Sequence, residues 1–314
     1  MLALTCAVLA AAALGGRVSP RLDLLTHAAP FLFMGGALAG LVWWSLDRPG
    51  AFTPALAAVA VAASGALMAP DLARAIWPRT VRPGEHTLKL IQFNLWGHNS
   101  DPDGTARWIL AQQADILVLE EAGGAAESVI RALQGRYPHR LTCDDPRPCP
   151  TMILSRQAPL AGGPFNESDQ ARGIGAVWAR FAADDGGQFN VVGVHLTRPY
   201  PLGFQQFQAD ALAAAVAKFP KPRLIVAGDL NSTPWSFTLK RLDRGLGIAR
   251  RTHALASWPA GAFSGYRLHS PMPLVPIDHV YAGRDWRTVS VKRGPRLGSD
   301  HYPVVVTLRL EPAS

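Results

Sequence analysis

Cysteine is scarce in this chain, and its spacing excludes one class of metal site. Three cysteines occur among 314 residues, and they form no Cys-X-X-Cys pair and no Cys/His pattern of the kind that holds zinc. Cys143 and Cys149 flank a short loop that contains two prolines. This spacing leaves two alternatives open, a disulfide bond that implies an oxidising compartment or a pair of free thiols.

Charged residues are missing from three stretches near the N-terminus. Residues 1–16, 28–46 and 49–70 contain no Lys, Arg, Asp or Glu. About 20 apolar residues of helix span the hydrocarbon core of a bilayer, with a range of about 17–25. The second and third stretches reach that length, and the first is slightly short. We interpret residues 1–70 as a membrane module with three predicted transmembrane helices, followed by a linker over residues 71–85.

Two other interpretations of these stretches are weaker. A signal peptide begins with positive charge, whereas nothing before Arg17 is charged. A soluble Ala-rich helical hairpin with uncharged spans of this length would aggregate in water. The small residues at 35–40 instead suit close helix packing in lipid. Three spans from a cytoplasmic N-terminus place the following domain outside, although four basic residues between positions 74 and 89 favour the opposite orientation.

The remainder of the chain alternates strand-like and helix-like patterns. Short apolar or alternating runs predict eight strands, over residues 87–93, 116–119, 152–154, 175–181, 189–194, 224–227, 277–281 and 304–308. Helical spacing predicts helices over residues 105–113, 127–133 and 204–219. The glycine- and proline-rich stretches 161–164 and 257–276 are predicted to be loops. The mixture indicates an α/β domain over residues 86–314.

Polar residues stand where most of these predicted strands begin or end. They are Asn94, Glu120, Glu121, His195, Asp229, Asn231, Asp278, Asp300 and His301. Carboxylate oxygens bind hard cations such as Mg²⁺, and an aspartate can activate water as a general base. A histidine can stabilise negative charge that develops on a phosphate. A sheet that gathers these strand ends at one rim would therefore carry out metal-assisted hydrolysis of a phosphoester.

The order of these segments resembles the endonuclease/exonuclease/phosphatase superfamily, which includes deoxyribonucleases and sphingomyelinases. The matching segments are Gln92-Phe93-Asn94, residues 115–121, residues 153–156, Val194-His195-Leu196, residues 228–234, residues 277–280 and residues 298–303. The resemblance implies an α/β (α+β) fold, a four-layer αββα sandwich with two mostly antiparallel sheets. The hydrophobic N-terminal stretches, with Ser257-Trp258-Pro259 ahead of Ile277-Asp278, make the chain similar to membrane-anchored bacterial members, which implies an inner-membrane location. From the count of three spans, the catalytic domain is expected to be extracytoplasmic.

The resemblance also implies a catalytic role for five residues. Asp229 matches the residue that positions or activates water, and Asn231 helps to hold the phosphate. His195 matches the first histidine beside the phosphate, with Asp278 as its supporting carboxylate. His301 matches the second such histidine.

Three further residues are implied at the metal. Glu121 matches the principal metal ligand, and Asn94 lies beside it at the metal and the phosphate. Asp300 is either a metal ligand or the partner of His301. The expected cofactor is Mg²⁺, with Mn²⁺ as a substitute, and no organic cofactor is expected.

The leading hypothesis is a monomeric, membrane-anchored, Mg²⁺-dependent phosphoesterase: a phosphodiesterase, a nuclease or a phospholipid-headgroup hydrolase. The formal net charge of +8 suits either nucleic acid or an anionic lipid surface. No basic stripe with interleaved aromatic residues points specifically to nucleic acid. The alternative is a non-catalytic, membrane-tethered binding module that retains the fold.

Overall fold

The computed structural model describes residues 1–46, 50–84, 87–143, 151–165, 174–261 and 270–311. The helices in these ranges are α1 (Leu2–Leu14), α2 (Pro20–Thr26), α3 (Ala29–Ser45), α4 (Phe52–Ile76), α5 (Pro102–Gln112), α6 (Glu127–Leu133), α7 (Phe204–Ala215) and α8 (Phe237–Leu246). The strands are β1 (Thr87–Asn94), β2 (Ile116–Glu120), β3 (His139–Thr142), β4 (Met152–Ser155), β5 (Ala161–Pro164), β6 (Gly175–Ala182), β7 (Gln188–His195), β8 (Leu224–Asp229), β9 (Ala249–Arg250), β10 (Asp278–Ala282), β11 (Trp286–Arg293) and β12 (Val304–Leu310).

The strands form two six-stranded sheets. Their orders are β11-β12-β1-β2-β4-β3 and β5-β6-β7-β8-β10-β9. Each sheet contains one parallel pair, β1 with β2 and β7 with β8, and its other pairs are antiparallel. Helices α5 and α6 cover the outer face of the first sheet, and α7 and α8 cover that of the second. The predicted four-layer αββα sandwich is confirmed.

The core between the sheets fixes which side chains face inward. Leu90 and Val118 of the first sheet meet Val191 and Ile225 of the second sheet in one buried apolar cluster. Because side chains alternate along a strand, residues two or four positions further along face the same interior. This parity directs the polar residues at the strand ends toward the space between the sheets.

All eight predicted strands and all three predicted helices are present, but one predicted loop is wrong. Residues 161–164 form β5, which pairs antiparallel with β6 from Ala161 opposite Arg180 to Pro164 opposite Val177. An edge strand needs ladder hydrogen bonds on one side only, so it tolerates glycine and proline and lacks the usual alternation. The other predicted loop, 257–276, includes residues 262–269, which lie outside the described residues.

Helix α8 is the largest element that the sequence patterns did not predict. The Ser236 hydroxyl at its start accepts a hydrogen bond from Leu239 N at 3.0 Å, and Gly247 ends it in the left-handed region with φ 65°. A serine cap and a glycine stop are recognisable signals of a helix. Strands β3, β9 and β11 were also missed; they are short or lie at sheet edges.

Helices α1, α3 and α4 pack together, and with α2, which packs against α1, they form an N-terminal bundle. The contact of α1, α3 and α4 is built largely from small residues, with Ala7, Ala10 and Ala60 buried in it. A side chain at Gly36 would place its Cβ 2.7 Å from the Cβ of Ala60. The predicted close approach through small residues is therefore what holds α3 against α4.

One described helix, α4, is long and apolar enough to cross a membrane. Helices α2 and α3 pass the same test as a pair, although the chain bends by 60° between them, and α1 is shorter. Helix α4 continues to Ile76, beyond the boundary predicted at residue 70, so the first part of the predicted linker is helical. The prediction of three spans stays a prediction.

The bundle docks onto the second sheet's side of the sandwich. The carboxylate of Asp23 in α2 accepts hydrogen bonds from Phe237 N at 2.7 Å and Thr238 N at 2.9 Å, at the start of α8. Trp235 is buried against α1, α3 and α4. The segment between β8 and α8 is therefore held directly by the N-terminal helices.

Candidate active site

Six polar side chains project between the sheets from strand ends, as the parity of their strands requires. They are Gln92 and Asn94 of β1, Glu120 of β2, His195 of β7, Asp229 of β8 and Asp278 of β10. The two parallel pairs end at the same rim, with Asn94 opposite Glu120 and His195 opposite Asp229. Asp278 opens β10 directly opposite Asp229. The predicted gathering of strand ends is present.

His301 lies between two carboxylates at the centre of this rim. Its Nδ1 donates to Asp278 Oδ2 at 2.9 Å, and its Nε2 lies 3.6 Å from Asp229 Oδ2. The hydroxyl of Ser299 accepts from His301 N at 3.0 Å and donates to Asn94 O at 2.6 Å. The segment before β12 is thus tied to the end of β1, which fixes the imidazole in place.

The charges of this triad depend on one another. Burial opposes a charged imidazole, but the carboxylates of Asp278 and Asp229 outweigh it and raise the pKa of His301 to about 10. Burial raises the pKa of Asp229 to about 6, against the opposing effect of His301. Burial also acts on Asp278, but the charge and hydrogen bond of His301 prevail and lower its pKa. The triad is an imidazolium held by two carboxylates.

Asn94 connects the triad to Glu121. Its amide nitrogen donates to Glu121 Oε1 and to Asp229 Oδ2, both at 3.1 Å. Its amide oxygen accepts from Trp96 N at 3.0 Å, so it is turned away from the carboxylates. In this arrangement Asn94 holds Glu121 and Asp229 in position, and its predicted place at the metal stays a prediction.

His195 and Asn231 form the opposite side of the rim. Asn231 Nδ2 lies 3.3 Å from His195 Nε2 and donates to Leu196 O at 3.0 Å. His195 Nε2 lies 3.6 Å from Asp229 Oδ2 and 3.9 Å from Glu121 Oε1. Both histidines at the rim therefore approach the same oxygen of Asp229 from different elements.

Two of these residues have a backbone conformation that side chains other than glycine rarely adopt. Glu121 and Asn231 each have a φ of 49°. Such conformations cost on the order of 1–3 kcal/mol and occur mainly where the surrounding structure enforces them. Glu121 is the first residue after β2 and Asn231 the second residue after β8, so the left-handed turn keeps each side chain at the rim while the backbone leaves the sheet.

Two predicted partnerships are wrong. Asp278 bonds to His301, and it was expected to support His195. Asp300 was expected either to pair with His301 or to bind metal; its side chain bonds to Trp258, so the pairing with His301 is wrong, and metal binding stays a prediction. The first error arises because the side chains of β10 and of the segment before β12 meet across the gap between the sheets, a contact that sequence spacing does not reveal. Burial, together with the charge of Glu121, raises the pKa of Asp300.

The sequence patterns missed the roles of Gln92 and Glu120. Gln92 Nε2 donates to Glu120 Oε2 at 2.9 Å and to Asp278 Oδ1 at 2.8 Å. Burial, with the charges of Asp278 and Asp229, raises the pKa of Glu120 well above its usual range. Strand parity was the available signal, because Gln92 and Glu120 share the inner face with Leu90 and Val118.

Four other residues that could take part in chemistry have structural contacts instead. Tyr137 donates to Ala114 O at 3.0 Å within the core, and Asn99 donates to Leu95 O at 2.9 Å. His279, next to Asp278, faces the opposite side and lies 2.9 Å from Ser232 O. His253 Nδ1 lies 2.9 Å from Asp71 Oδ1. Cys143 is disulfide-bonded, while Cys149 lies outside the described residues.

The donor chemistry at the rim fits a hard divalent cation. One oxygen each of Asp229 and Asp278 and a nitrogen of His301 lie within 4.8 Å of one another. Both nitrogens of His301 already face carboxylates, so its imidazole serves as a hydrogen-bonded cation. Glu121 and Asp300 add two more carboxylates, and the Glu121 side chain is 34% exposed toward the opening. This surplus of oxygen donors and negative charge suits a cation such as Mg²⁺.

Comparisons with solved structures agree with this architecture. The chain is similar to sphingomyelinase C from Streptomyces griseocarneus, at 19% identity over 71% of this chain and 99% of that chain, with a TM-score of 0.54. It is similar to D. rerio TDP2 complexed with a single-strand DNA product, at 17% identity, 72% and 100% coverage and a TM-score of 0.55. A mutant beta toxin from Staphylococcus aureus with bound magnesium ions matches at 15% identity, 72% and 99% coverage and a TM-score of 0.53.

At these identities the structural matches show the fold alone. No curated protein matches the chain. A family model, in contrast, matches residues 91–301, which is more than half of the chain and includes every residue of the rim described above. The chain therefore belongs to the Endonuclease/Exonuclease/phosphatase family.

Proposed function

We propose that this protein is a membrane-anchored, divalent-metal-dependent phosphoesterase. One observation carries the proposal: the buried imidazolium of His301, held by Asp278 and Asp229 beside further carboxylates. A cation fixed in a low-dielectric site stabilises negative charge that grows on a phosphate in the transition state. A binding module that had lost catalysis would have no need to keep this charged group so deeply buried.

Each rim residue then has a task in the hydrolysis. Asp229 takes a proton from water as the water oxygen bonds to phosphorus, and its raised pKa makes it a stronger base than an exposed aspartate. The bond from phosphorus to the leaving oxygen breaks as the new bond forms. His301 stabilises the phosphate oxygens, and His195 and Asn231 contact them from the other side of the rim.

The metal belongs beside Glu121. Glu121 and Asp300 would hold Mg²⁺, or Mn²⁺ in its place, and Asn94 would orient Glu121. The cation would supply neutralisation of phosphate charge. Support comes from the oxygen-donor surplus at the rim and from the magnesium ions bound by the similar beta toxin.

A phospholipid headgroup is the substrate class that the surroundings of the rim favour. Tyr200, Leu202, Phe204 and Phe207 are exposed on the segment that follows His195. Leu202 and Leu24 of α2 line the same small pocket, so this apolar segment adjoins the N-terminal helices. Exposed aromatic and aliphatic residues beside a membrane anchor suit contact with lipid. The disulfide at Cys143 supports an extracytoplasmic domain of an inner-membrane protein.

Nucleic acid is the second substrate class. The net charge of +8 and the similar DNA-bound TDP2 favour it. A panel of phosphoesters separates the two classes: sphingomyelin, phosphatidylglycerol, single- and double-stranded DNA, RNA, sugar phosphates and a chromogenic phosphodiester. The full-length protein in detergent is tested with Mg²⁺, with Mn²⁺ and with EDTA.

We expect hydrolysis of lipid headgroups in Mg²⁺ and none in EDTA. Glu121→Gln should raise the Mg²⁺ concentration needed for half-maximal activity, while His139→Ala, a histidine on β3 outside the rim, should not. Equal inactivity of the wild type and Glu121→Gln on every substrate would support the binding module. Cleavage of DNA alone would mean that the protein is a nuclease and that the assignment of a lipid substrate is wrong.

A further inference from the structure

A cavity of about 1220 Å³ lies where the N-terminal bundle meets the sandwich. Its wall is formed by the end of α4, the segment 77–80, α8, the residues after α8 through β9, and β11. No residue of the catalytic rim lines it. The cavity is therefore separate from the proposed site of hydrolysis.

The wall of this cavity carries an excess of positive charge. It contains seven Lys and Arg side chains and two carboxylates, Asp71 and Asp243. Both carboxylates already bind Arg250, at 2.8 Å and 3.3 Å. Arg287 pairs with Glu311 at 2.7 Å. Within the described part of the chain, five wall cations have no carboxylate partner: Arg74, Arg79, Lys240, Arg244 and Arg251.

Two of these cations are held partly out of water. The Arg251 guanidinium donates to Ala282 O, Gly283 O and Trp286 O at 2.9–3.0 Å, and its Nε is buried without a partner among the described residues. Burial, together with the charge of Arg287, lowers the pKa of Arg251. Burial also lowers the pKa of Lys240, against the opposing charges of Asp23, Asp243 and Asp71, and its ammonium donates to Leu67 O at 3.4 Å. A desolvated cation that forms no ion pair, such as Arg251, is unfavourable unless an anion joins it.

The position of the cavity indicates which anion it meets. Its wall begins at Leu67 and Arg74 on α4, the helix long enough to cross a membrane, and continues through Trp77, which is 74% exposed. Tryptophan and arginine at the end of a span lie at the level of lipid headgroups. Apolar wall residues, among them Leu67, Ile248 and Val291, offer contact for the start of an acyl chain.

We propose that this juxtamembrane cavity binds the phosphate headgroup of an anionic membrane phospholipid. Lys240 and Arg251 contact the phosphate from the inner wall, and Arg74, Arg79 and Arg244 surround it at the opening. The bound lipid fastens the end of α4 to α8 and β11. This site rests on the proposed membrane anchoring, but not on the proposed catalysis.

Native mass spectrometry of the full-length protein in detergent tests the site, with Asp229→Asn present throughout so that added lipid stays intact. Phosphatidylglycerol, phosphatidylcholine and inorganic phosphate are titrated separately. We expect phosphatidylglycerol to bind, phosphatidylcholine to bind at least tenfold more weakly, and inorganic phosphate not to displace the lipid. The variant Arg74→Gln/Arg79→Gln/Arg244→Gln should weaken phosphatidylglycerol binding at least tenfold.

The matched control is Arg107→Gln/Arg136→Gln/Arg140→Gln, which removes three exposed arginines outside the cavity and should bind as the parent does. Equal binding of both phospholipids, displacement by inorganic phosphate, or unchanged binding by the cavity variant would each overturn the proposal. If the triple variant does not fold, Arg74→Gln alone is compared with Arg107→Gln under the same criteria. Hydrolysis assays of the same substitutions without Asp229→Asn separate failure of this site from failure of the proposed function.

Discussion

Two clusters of buried charge lie on opposite faces of the second sheet, and β10 contributes to both. The inner cluster lies between the sheets and consists of Glu120, Asp229, Asp278 and His301. The outer cluster lies under α8 and α4 and consists of Asp71, Asp243, Arg250, His279 and Tyr281. Adjacent residues of one strand thus supply Asp278 to the first cluster and His279 to the second.

The clusters differ in how their charges are balanced. In the outer cluster Arg250 binds both carboxylates, and His279 stays neutral because burial, with the charge of Arg250, lowers its pKa to about 4. In the inner cluster one imidazolium, with a pKa of about 10, faces several acidic groups. The inner cluster also adjoins two further carboxylates at the rim, Glu121 and Asp300, and such an arrangement suits a bound cation.

The largest expected effect comes from substituting His301 and His279, each in a separate variant. His301→Gln removes the cation beside the proposed phosphate position and should lower kcat by about 10³-fold, the scale seen when one electrostatic stabiliser is removed. His279→Gln should leave kcat near the wild-type value, because its side chain contacts Ser232 and Thr252 on the other face. Steady-state hydrolysis of the preferred substrate with saturating Mg²⁺ measures both.

A thermal melt of each variant is the control, since a lower kcat counts only for protein that remains folded. If His279→Gln lost as much activity as His301→Gln while both variants kept their melting transitions, the claim that only the inner cluster acts in catalysis would be contradicted.

Removal of Arg250, the cation of the outer cluster, should lower the stability of the protein and leave catalysis unchanged. Arg250→Met leaves Asp71 and Asp243 without their shared partner and should lower the free energy of unfolding by about 3–5 kcal/mol, the usual cost of breaking a buried ion pair. Urea unfolding followed by tryptophan fluorescence measures this loss. The control is Arg131→Met, whose pair with Glu127 is exposed and should contribute about 0–1 kcal/mol. Equal losses in both variants would contradict a special role for the buried cluster.

The sequence predicted the inner cluster better than the outer one, for a physical reason. Strand ends such as Asn94 and Asp229 carry their polar residue at a recognisable place in an apolar run, so the rim could be assembled from pattern and resemblance. Glu120 was placed at a strand end without a role of its own; it lies on the same face of β2 as Val118, and β2 is an interior strand of its sheet, so Glu120 is buried.

The outer cluster had no such signal. Arg250 and Asp71 are separated by 179 positions, and they meet only because α4 packs against β9. His253 and His279 likewise acquire their partners from distant elements. Local periodicity reports which face of an element is buried, but it does not report which element covers that face. For the same reason Asp278 was wrongly predicted to support His195, whereas it bonds to His301.

A smaller effect should appear when acid forces His279 to take up a proton. Its folded pKa of about 4 lies below the unfolded value of 6.5, so between these values the unfolded chain binds more protons. The contribution of His279 to the free energy of unfolding is therefore fully present above pH 6.5 and is lost as the pH falls toward 4. At pH 5 the loss is about 2 kcal/mol.

Urea unfolding at pH 7 and pH 5 isolates this contribution when the wild type is compared with His279→Asn. The variant starts from lower stability but should lose about 2 kcal/mol less between the two pH values. An identical pH dependence in both proteins would show that the outer histidine is already protonated or exposed, and the contrast with His301 would disappear.

The smallest expected effect concerns a third buried carboxylate, Asp23, which extends the comparison. Asp23 is 4% exposed, and no cationic side chain among the described residues forms an ion pair with it. Its oxygens accept from Phe237 N, Thr238 N and the Thr238 hydroxyl, at 2.7–2.9 Å. The positive end of the α8 dipole thus replaces the cation that Arg250 provides in the outer cluster.

Asp23→Asn removes the charge and keeps one acceptor, so it should lower the free energy of unfolding by about 1 kcal/mol. Asp103→Asn is the matched control, because that aspartate lies in the exposed first turn of α5. A loss from Asp23→Asn no larger than from Asp103→Asn would mean that backbone amides do not balance this carboxylate, whereas the expected loss would establish helix α8 as the element that lets the N-terminal bundle bury an acidic residue without a cation.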